Sequence, residues 1–107
     1  MIESLYLGTI DLEGTLTIPL QCRTDARAPI APDSNPAYRI YGPDPSAIMT
    51  SGSGTLTGPV DSQTGFFKAT HSITSATGYA SGSSYTIRIT YLVSSATKVV
   101  LYTFSVT

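Results

Sequence analysis

The chain has 107 residues, a net charge of −1 and only 12% charged residues. This length is typical of one domain. Ser and Thr together make up about a quarter of the residues. Thr favours strands, and Ser, Gly and Pro favour turns, so the composition indicates a β-rich protein. The six basic residues are scattered, whereas nucleic-acid binding needs clustered cations. The start lacks the basic and apolar regions of a signal peptide, and no apolar run approaches the roughly 20 residues of a membrane helix. We therefore expect one all-β domain over residues 1–107, made in a cytoplasm, with neither a nucleic-acid nor a membrane partner.

Two segments open the chain. Residues 1–12 contain the apolar triplet Leu5, Tyr6 and Leu7 and predict either an N-terminal arm or an edge strand. After Gly14, apolar and polar residues alternate up to position 22, which predicts a half-buried strand. Pro19 lies within it and has no N–H to donate, so we expect this strand at the edge of a sheet.

The middle of the chain alternates turn signals with short strands. Residues 23–36 contain three prolines and predict a long, extended and stiff loop. Residues 37–41 predict a short strand, and 48–50 a short edge strand. The Ser-Gly-Ser-Gly run at 51–54 predicts a flexible bend, and 66–74 predict another strand.

The last two strands carry the clearest pattern. Apolar and aromatic side chains recur at every second position, which predicts two amphipathic strands joined by a four-residue break at 94–97. The predicted core residues are Tyr85, Ile87, Ile89, Tyr91, Tyr102 and Phe104. Seven or eight short strands, with turn signals every 8–12 residues, predict a sandwich of two antiparallel sheets.

A tyrosine near the start of the penultimate strand makes the sandwich immunoglobulin-like. The pattern Gly82-x-x-Tyr85 is that of a tyrosine corner, in which the hydroxyl bonds the backbone just upstream. In disulfide-bonded members of that class the second cysteine follows two residues later, where this chain has Ile87. Cys22 stands near the position of the first cysteine, so we expect hydrophobic packing in place of the disulfide.

His71 and Cys22 are the only histidine and the only cysteine. His71 shares a predicted strand face with Phe67, Ala69 and Ile73, and a metal site or a catalytic triad needs further ligands or partners. We expect His71 to donate to a backbone carbonyl or to reach a strand edge, and Cys22 to be an inert buried thiol. No catalytic, cofactor-binding or metal site is predicted, and we do not expect an enzyme.

Loop carboxylates offer one further alternative. Asp33 with Asn35, or Asp44, has the oxygen ligands that calcium takes, but six to eight such oxygens are required. Turn capping is the simpler interpretation.

Three tyrosines remain outside the predicted core: Tyr6, Tyr41 and Tyr79. Amphipathic aromatics on a surface with few charges favour a protein–protein contact over a sugar-binding platform. The predicted partner-contact residues are Leu5, Tyr6, Leu7, Arg27, Ile30, Tyr41 and Tyr79.

Four segments, at 14–21, 36–44, 60–70 and 78–89, carry a family resemblance. In their order and in their strand-and-turn patterns the chain resembles small immunoglobulin-like domains of tailed-bacteriophage structural proteins. The resemblance implies a virion location and a capsid cement or decoration protein, present in many copies or as a homo-oligomer. The implied partners are the major capsid protein or other virion proteins. A tail or baseplate adaptor, or a carbohydrate-binding module for host recognition, remains an alternative.

Overall fold

The described residues form seven strands. The computed structural model describes residues 2–44 and 47–107, and the side chains of these residues apart from those of 2–4, 50 and 51. The strands are β1 (Ile2–Ile10), β2 (Thr15–Gln21), β3 (Ala37–Tyr41), β4 (Ile48–Thr55), β5 (Phe66–Ser72), β6 (Ser84–Val93) and β7 (Ala96–Val106). Two 3₁₀ turns lie at Val60–Ser62 and Ser75–Thr77, and the described part of the chain has no α-helix. The predicted all-β fold is confirmed.

The strands form two sheets of unequal width. One has five strands in the order β1-β7-β6-β3-β4, and the other pairs β2 with β5. The order β7-β6-β3-β4 opposite β2-β5 corresponds to strands G-F-C-C′ opposite B-E of an immunoglobulin-like sandwich. The expectation of purely antiparallel sheets is wrong at one place, because β1 runs parallel to β7.

The core lies between the sheets. The six predicted core residues, Tyr85, Ile87, Ile89, Tyr91, Tyr102 and Phe104, are all at most 8% exposed. Leu16, Ile18 and Leu20 belong to the same buried cluster and come from β2 of the facing sheet. Burial of these apolar surfaces is the main force that holds the two sheets together. The two-residue alternation of the sequence therefore identifies the core correctly.

The edge position predicted for β2 is confirmed. Its only strand partner in the described chain is β5, where Pro19 is level with Lys68, and no described strand pairs with the other side of β2. The Pro19 carbonyl instead accepts a hydrogen bond from the Tyr102 hydroxyl at 2.6 Å. This bond ties the two sheets together at the open edge of β2.

The Ser-Gly-Ser-Gly run is part of strand β4 rather than a flexible bend. Gly54 pairs with Tyr38 of β3, and a Cβ on Gly54 would lie 2.8 Å from the Tyr38 ring. The glycine is needed here because an aromatic ring approaches the backbone closely, not because the chain turns. The prediction failed since this contact is made across two strands.

The loop at 23–36 is less extended than its prolines predict. The Arg27 N–H donates to the Thr24 carbonyl at 2.9 Å, and Arg27 has a φ of 65°. Arg23 then forms an isolated β-bridge with Pro29. The loop thus begins with a tight turn that folds back beside the end of β2.

The tyrosine corner predicted before β6 is confirmed. The Ala80 N–H donates to the Tyr85 hydroxyl at 2.8 Å, and the Tyr85 ring stacks on Phe104 with the ring centroids 5.5 Å apart. Gly82 has a φ of 85°, a conformation that glycine adopts without strain. The corner therefore joins a backbone turn to the centre of the core.

The hairpin between β6 and β7 is tighter than predicted. Pairing continues to Val93 and Ala96, so that the turn consists of Ser94 and Ser95 alone, with φ angles of 49° and 67°. Positive φ at both positions is characteristic of a type I′ turn, which usually contains Asn and Gly. The Asp33 carboxylate accepts hydrogen bonds from both serine N–H groups, at 3.1 and 2.8 Å. A loop residue distant in sequence thus stabilises a turn with unfavourable residues.

Replacing Asp33 with Ala should lower the free energy of unfolding by about 1 kcal/mol, because two turn N–H groups lose a charged acceptor. Urea denaturation measures the change. The neighbouring S34A variant is the control, and we expect it to change stability by less than about 0.5 kcal/mol. Equal denaturation midpoints for D33A and S34A would contradict this role.

The Y85F substitution keeps the ring in the core but removes the acceptor of the Ala80 N–H. We expect a loss of about 1–2 kcal/mol in the free energy of unfolding. Y41F is a matched control, because no hydrogen bond of the Tyr41 hydroxyl is found within the described residues. A Y85F protein as stable as Y41F would show that the corner bond contributes nothing.

Candidate contact surface

The N-terminal segment is an edge strand and not an arm. β1 pairs with β7 on one side, and no described strand pairs with its other side. Leu5 and Tyr6 are 55% and 58% exposed, whereas Leu7 is half-buried and packs against the core. A shift of register lies between Tyr6 and Thr9, and Gly8 there has a φ of 102°. The strand therefore presents apolar and aromatic side chains beside an unpaired backbone edge.

The widths of the two sheets explain why Leu5 is exposed. Strands lie about 4.8 Å apart, so two strands cover less than half the breadth of five. Leu5 is level with Tyr102 on β7, whose side chain lies in the core, and β1 makes its main contacts with β7. Near Leu5 the inner side of β1 extends beyond the covering sheet, so this apolar side chain meets solvent, whereas Leu7 and Ile10 further along the strand pack against the core.

A shallow groove runs between the open edge of β2 and strand β7, with a volume of about 240 Å³. Arg23, Arg27 and Lys98 line it together with Asp25. Lys98 forms an ion pair with Asp25 that lowers the pKa of that carboxyl, and the Arg23 guanidinium donates to the Arg27 carbonyl at 2.9 Å. The groove is smaller than most small-molecule pockets. Its charged side chains Arg23, Asp25 and Lys98 already interact with other groups that line the groove.

The predicted contact residues do not form one patch. Leu5 and Tyr6 lie on β1, and Arg27 lines the groove that borders β7. Ile30 is half-buried, and its N–H donates to the Cys22 carbonyl. Tyr41 is half-buried on β3, in the same row as Tyr6 but separated from it by β6 and β7. Of the predicted contact residues, Leu5 and Tyr6 on β1 are the exposed large hydrophobic ones.

Tyr79 is a core residue, which corrects its prediction as a surface aromatic. It is 2% exposed, its ring meets that of Tyr85 edge-to-face at 5.0 Å, and Phe104 is also close. Gly78 precedes it with a φ of 99° and ends the 3₁₀ turn Ser75–Thr77. The sequence does not reveal this because Tyr79 belongs to a turn and has no strand alternation.

His71 lies between two tyrosines. Its Nδ1 is 3.3 Å from the Tyr38 hydroxyl and its Nε2 is 3.0 Å from the Tyr79 hydroxyl. Both rings meet the imidazole edge-on, with centroids 5.9 Å apart. The prediction that His71 donates to a backbone carbonyl or reaches a strand edge is therefore corrected: its ring nitrogens contact two tyrosine hydroxyls. The packing role expected for His71 is kept.

The surroundings of this cluster favour neutral side chains. Burial lowers the pKa of His71 and raises the pKa values of Tyr38 and Tyr79. A neutral imidazole has one donor and one acceptor nitrogen, so one tyrosine hydroxyl donates to it and the other accepts from it. The cluster contains no carboxylate that would orient the imidazole as a general base. Its chemistry is that of a satisfied polar network inside a core.

Cys22 is fully buried, as predicted, and burial raises the pKa of its thiol to about 12. At neutral pH it is therefore protonated and a poor nucleophile. Within the described residues, no three His, Cys, Asp or Glu side chains lie close enough together to hold a metal ion.

Sequence reasoning missed one pair of exposed cations. Arg39 on β3 and Arg88 on β6 lie directly opposite each other in the register of the five-stranded sheet. Each stands at a solvent-facing position of its strand. Only the register shows that they are neighbours, because 48 residues separate them in the chain.

No protein-family model, curated protein or solved structure matches this chain. The described residues contain no helix that is long and apolar enough to cross a bilayer.

The His71 cluster predicts a pH dependence of stability. Burial depresses the pKa of His71 in the folded state below the ordinary 6.5, so the unfolded chain binds the proton more readily. Stability is complete above pH 6.5 and should fall as the pH drops through 6.5 towards the folded-state pKa. Urea midpoints between pH 7.5 and 5 should decline for the native protein and less for H71Q. An NMR titration that gives His71 a pKa above 6.5 would contradict this.

Proposed function

We propose that the protein is a non-enzymatic structural component of a tailed-phage virion, namely a cement or decoration protein that bridges or covers major capsid subunits. The observation that carries the proposal is the edge strand β1, with its exposed Leu5 and Tyr6. The family resemblance of the sequence supplies the virion setting.

An unprotected edge is suited to adhesion. Natural edge strands are usually blunted by proline, by lysine or by a covering element, because their free N–H and C=O groups pair with other chains. β2 has such a guard in Pro19, while β1 contains neither proline nor lysine, and its register shift lies beyond Tyr6, between Tyr6 and Thr9. An extended segment of a neighbouring subunit can add to β1 by backbone hydrogen bonds and cover Leu5 and Tyr6.

The remaining chemistry of the chain agrees with a structural role. The His71 cluster bonds within itself, the Cys22 thiol is buried, and the Tyr102 hydroxyl links two sheets. These polar groups serve packing rather than reaction. Each contact at a single strand edge would be small, but copies repeated over a shell add avidity to weak contacts.

A sugar-binding function has less support. It needs neighbouring exposed aromatics, but Tyr79 is inside the core. Tyr6 and Tyr41 are three strand spacings apart, roughly 14 Å. A tail or baseplate adaptor uses the same adhesive chemistry, and copy number distinguishes it.

The first test is the composition of purified particles. Quantitative mass spectrometry or cryo-electron microscopy should find the protein in hundreds of copies on the head. A count of three, six or twelve would instead support the adaptor. A protein that is made in the infected cell but absent from particles would overturn the proposal.

The second test concerns β1. Purified protein carrying L5S and Y6S, added to particles that lack it, should bind at least tenfold more weakly than the native protein. The control is I48S, because Ile48 is 50% exposed on β4 at the opposite edge of the same sheet. Equal loss for both variants, or loss for I48S alone, would contradict the role of β1.

A further inference from the structure

The outer face of the five-stranded sheet carries two arginines side by side. Arg39 of β3 and Arg88 of β6 are register partners, and both are exposed. Cβ atoms of directly opposite residues lie about 4.5–5.5 Å apart, and like charges at that distance destabilise a sheet. The fold therefore keeps an unfavourable pair of like charges at two exposed positions.

No described residue neutralises this pair. Within the described residues, neither Arg39 nor Arg88 forms an ion pair or a side-chain hydrogen bond. Strands β3, β4, β6 and β7 contain no Asp or Glu at all. This differs from Lys98 on β7, which pairs with Asp25. The positive charge of the outer face thus has no counterpart within these four strands.

The surroundings of the pair form a receptive surface. Ala37 and Thr90, the residues opposite each other on the same two strands, are small and leave a shallow floor next to the guanidinium groups. One depression lies over this floor towards Ser53 and Gly54 of β4, and a second extends towards Asn35 and Leu92. Arg88 lines both depressions.

We propose that Arg39 and Arg88 bind a carboxylate side chain on an acidic segment of a partner protein. A guanidinium holds a carboxylate through two parallel hydrogen bonds, and two guanidinium groups can grip one carboxylate from either side. The bound carboxylate removes the repulsion between the arginines, so the charge that destabilises the free protein stabilises the complex. The site is separate from the edge of β1 and goes beyond the proposed function.

The binding test uses the isolated protein and a defined probe. ¹⁵N-labelled protein is titrated at low salt with the capped peptide Thr-Glu-Thr-Glu-Thr, and in parallel with Thr-Gln-Thr-Gln-Thr. The glutamate peptide should shift the amide signals of residues 37–39 and 88–90 and the side-chain Nε–H signals of both arginines. R39Q and R88Q should each weaken binding about tenfold, and K68Q, which removes an equal charge from the other sheet, should leave it unchanged.

Two results would overturn the site: no shifts with the glutamate peptide, or equal shifts around Lys68 and Lys98. Thermal unfolding gives a second, independent measure. R88Q should raise the melting temperature by a few degrees at low salt, and added salt should shrink this gain, because screening weakens the repulsion that the variant removes. K68Q should show no such gain, and a lower melting temperature for R88Q at low salt would contradict the unfavourable pair.

The two proposals fail separately. If the protein is absent from particles but the peptide titration succeeds, only the virion role is lost. If the protein is abundant on particles and the titration shows nothing, only the arginine site is lost.

Discussion

Because the two sheets differ in width, some apolar side chains of the wider sheet are buried and others at its margins are exposed. Two strands, β2 and β5, cover the middle of a sheet of five, so the core is concentrated beneath β6, β7 and β3. The edges of the wider sheet extend beyond that cover, and this explains why Leu5 is exposed although it is level with the buried Tyr102. The same fold therefore combines a buried centre with partly exposed margins.

Tyrosine hydroxyl groups form hydrogen bonds between segments that are not joined by strand pairing. Tyr102 satisfies the carbonyl at the proline of β2, Tyr85 accepts from the turn before its own strand, and Tyr38 and Tyr79 hold His71. Each ring lies in the core while its hydroxyl reaches a polar group, which suits an amphipathic side chain. A small protein without a disulfide is thereby held together across its two sheets by buried aromatic groups.

The sequence predicts those elements in which apolar and polar residues alternate locally. β6, β7 and β2 and the six core residues follow from side chains that repeat every two positions, and the tyrosine corner follows from a short motif. The failures concern contacts between distant segments. The glycines at 51–54 indicate a bend, and only the structure shows that the ring of Tyr38 lies against Gly54. Tyr79 lies outside any alternating segment, so the sequence does not reveal its burial. For the candidate site, the structure shows Leu5 and Tyr6 exposed, and their predicted partner contact stays a prediction. The juxtaposition of Arg39 and Arg88 requires the register.

The parallel pairing of β1 with β7 determines where the two ends of the described chain emerge. Ile2 lies beside Val99 near the β6–β7 hairpin, whereas Thr107 is hydrogen-bonded to Ile10 and Leu12 at the far end of β1. Eight residue steps along a strand separate these points, roughly 26 Å. A peptide or reporter attached after Thr107 would therefore project from one pole of the domain, and one attached ahead of Ile2 from the opposite pole.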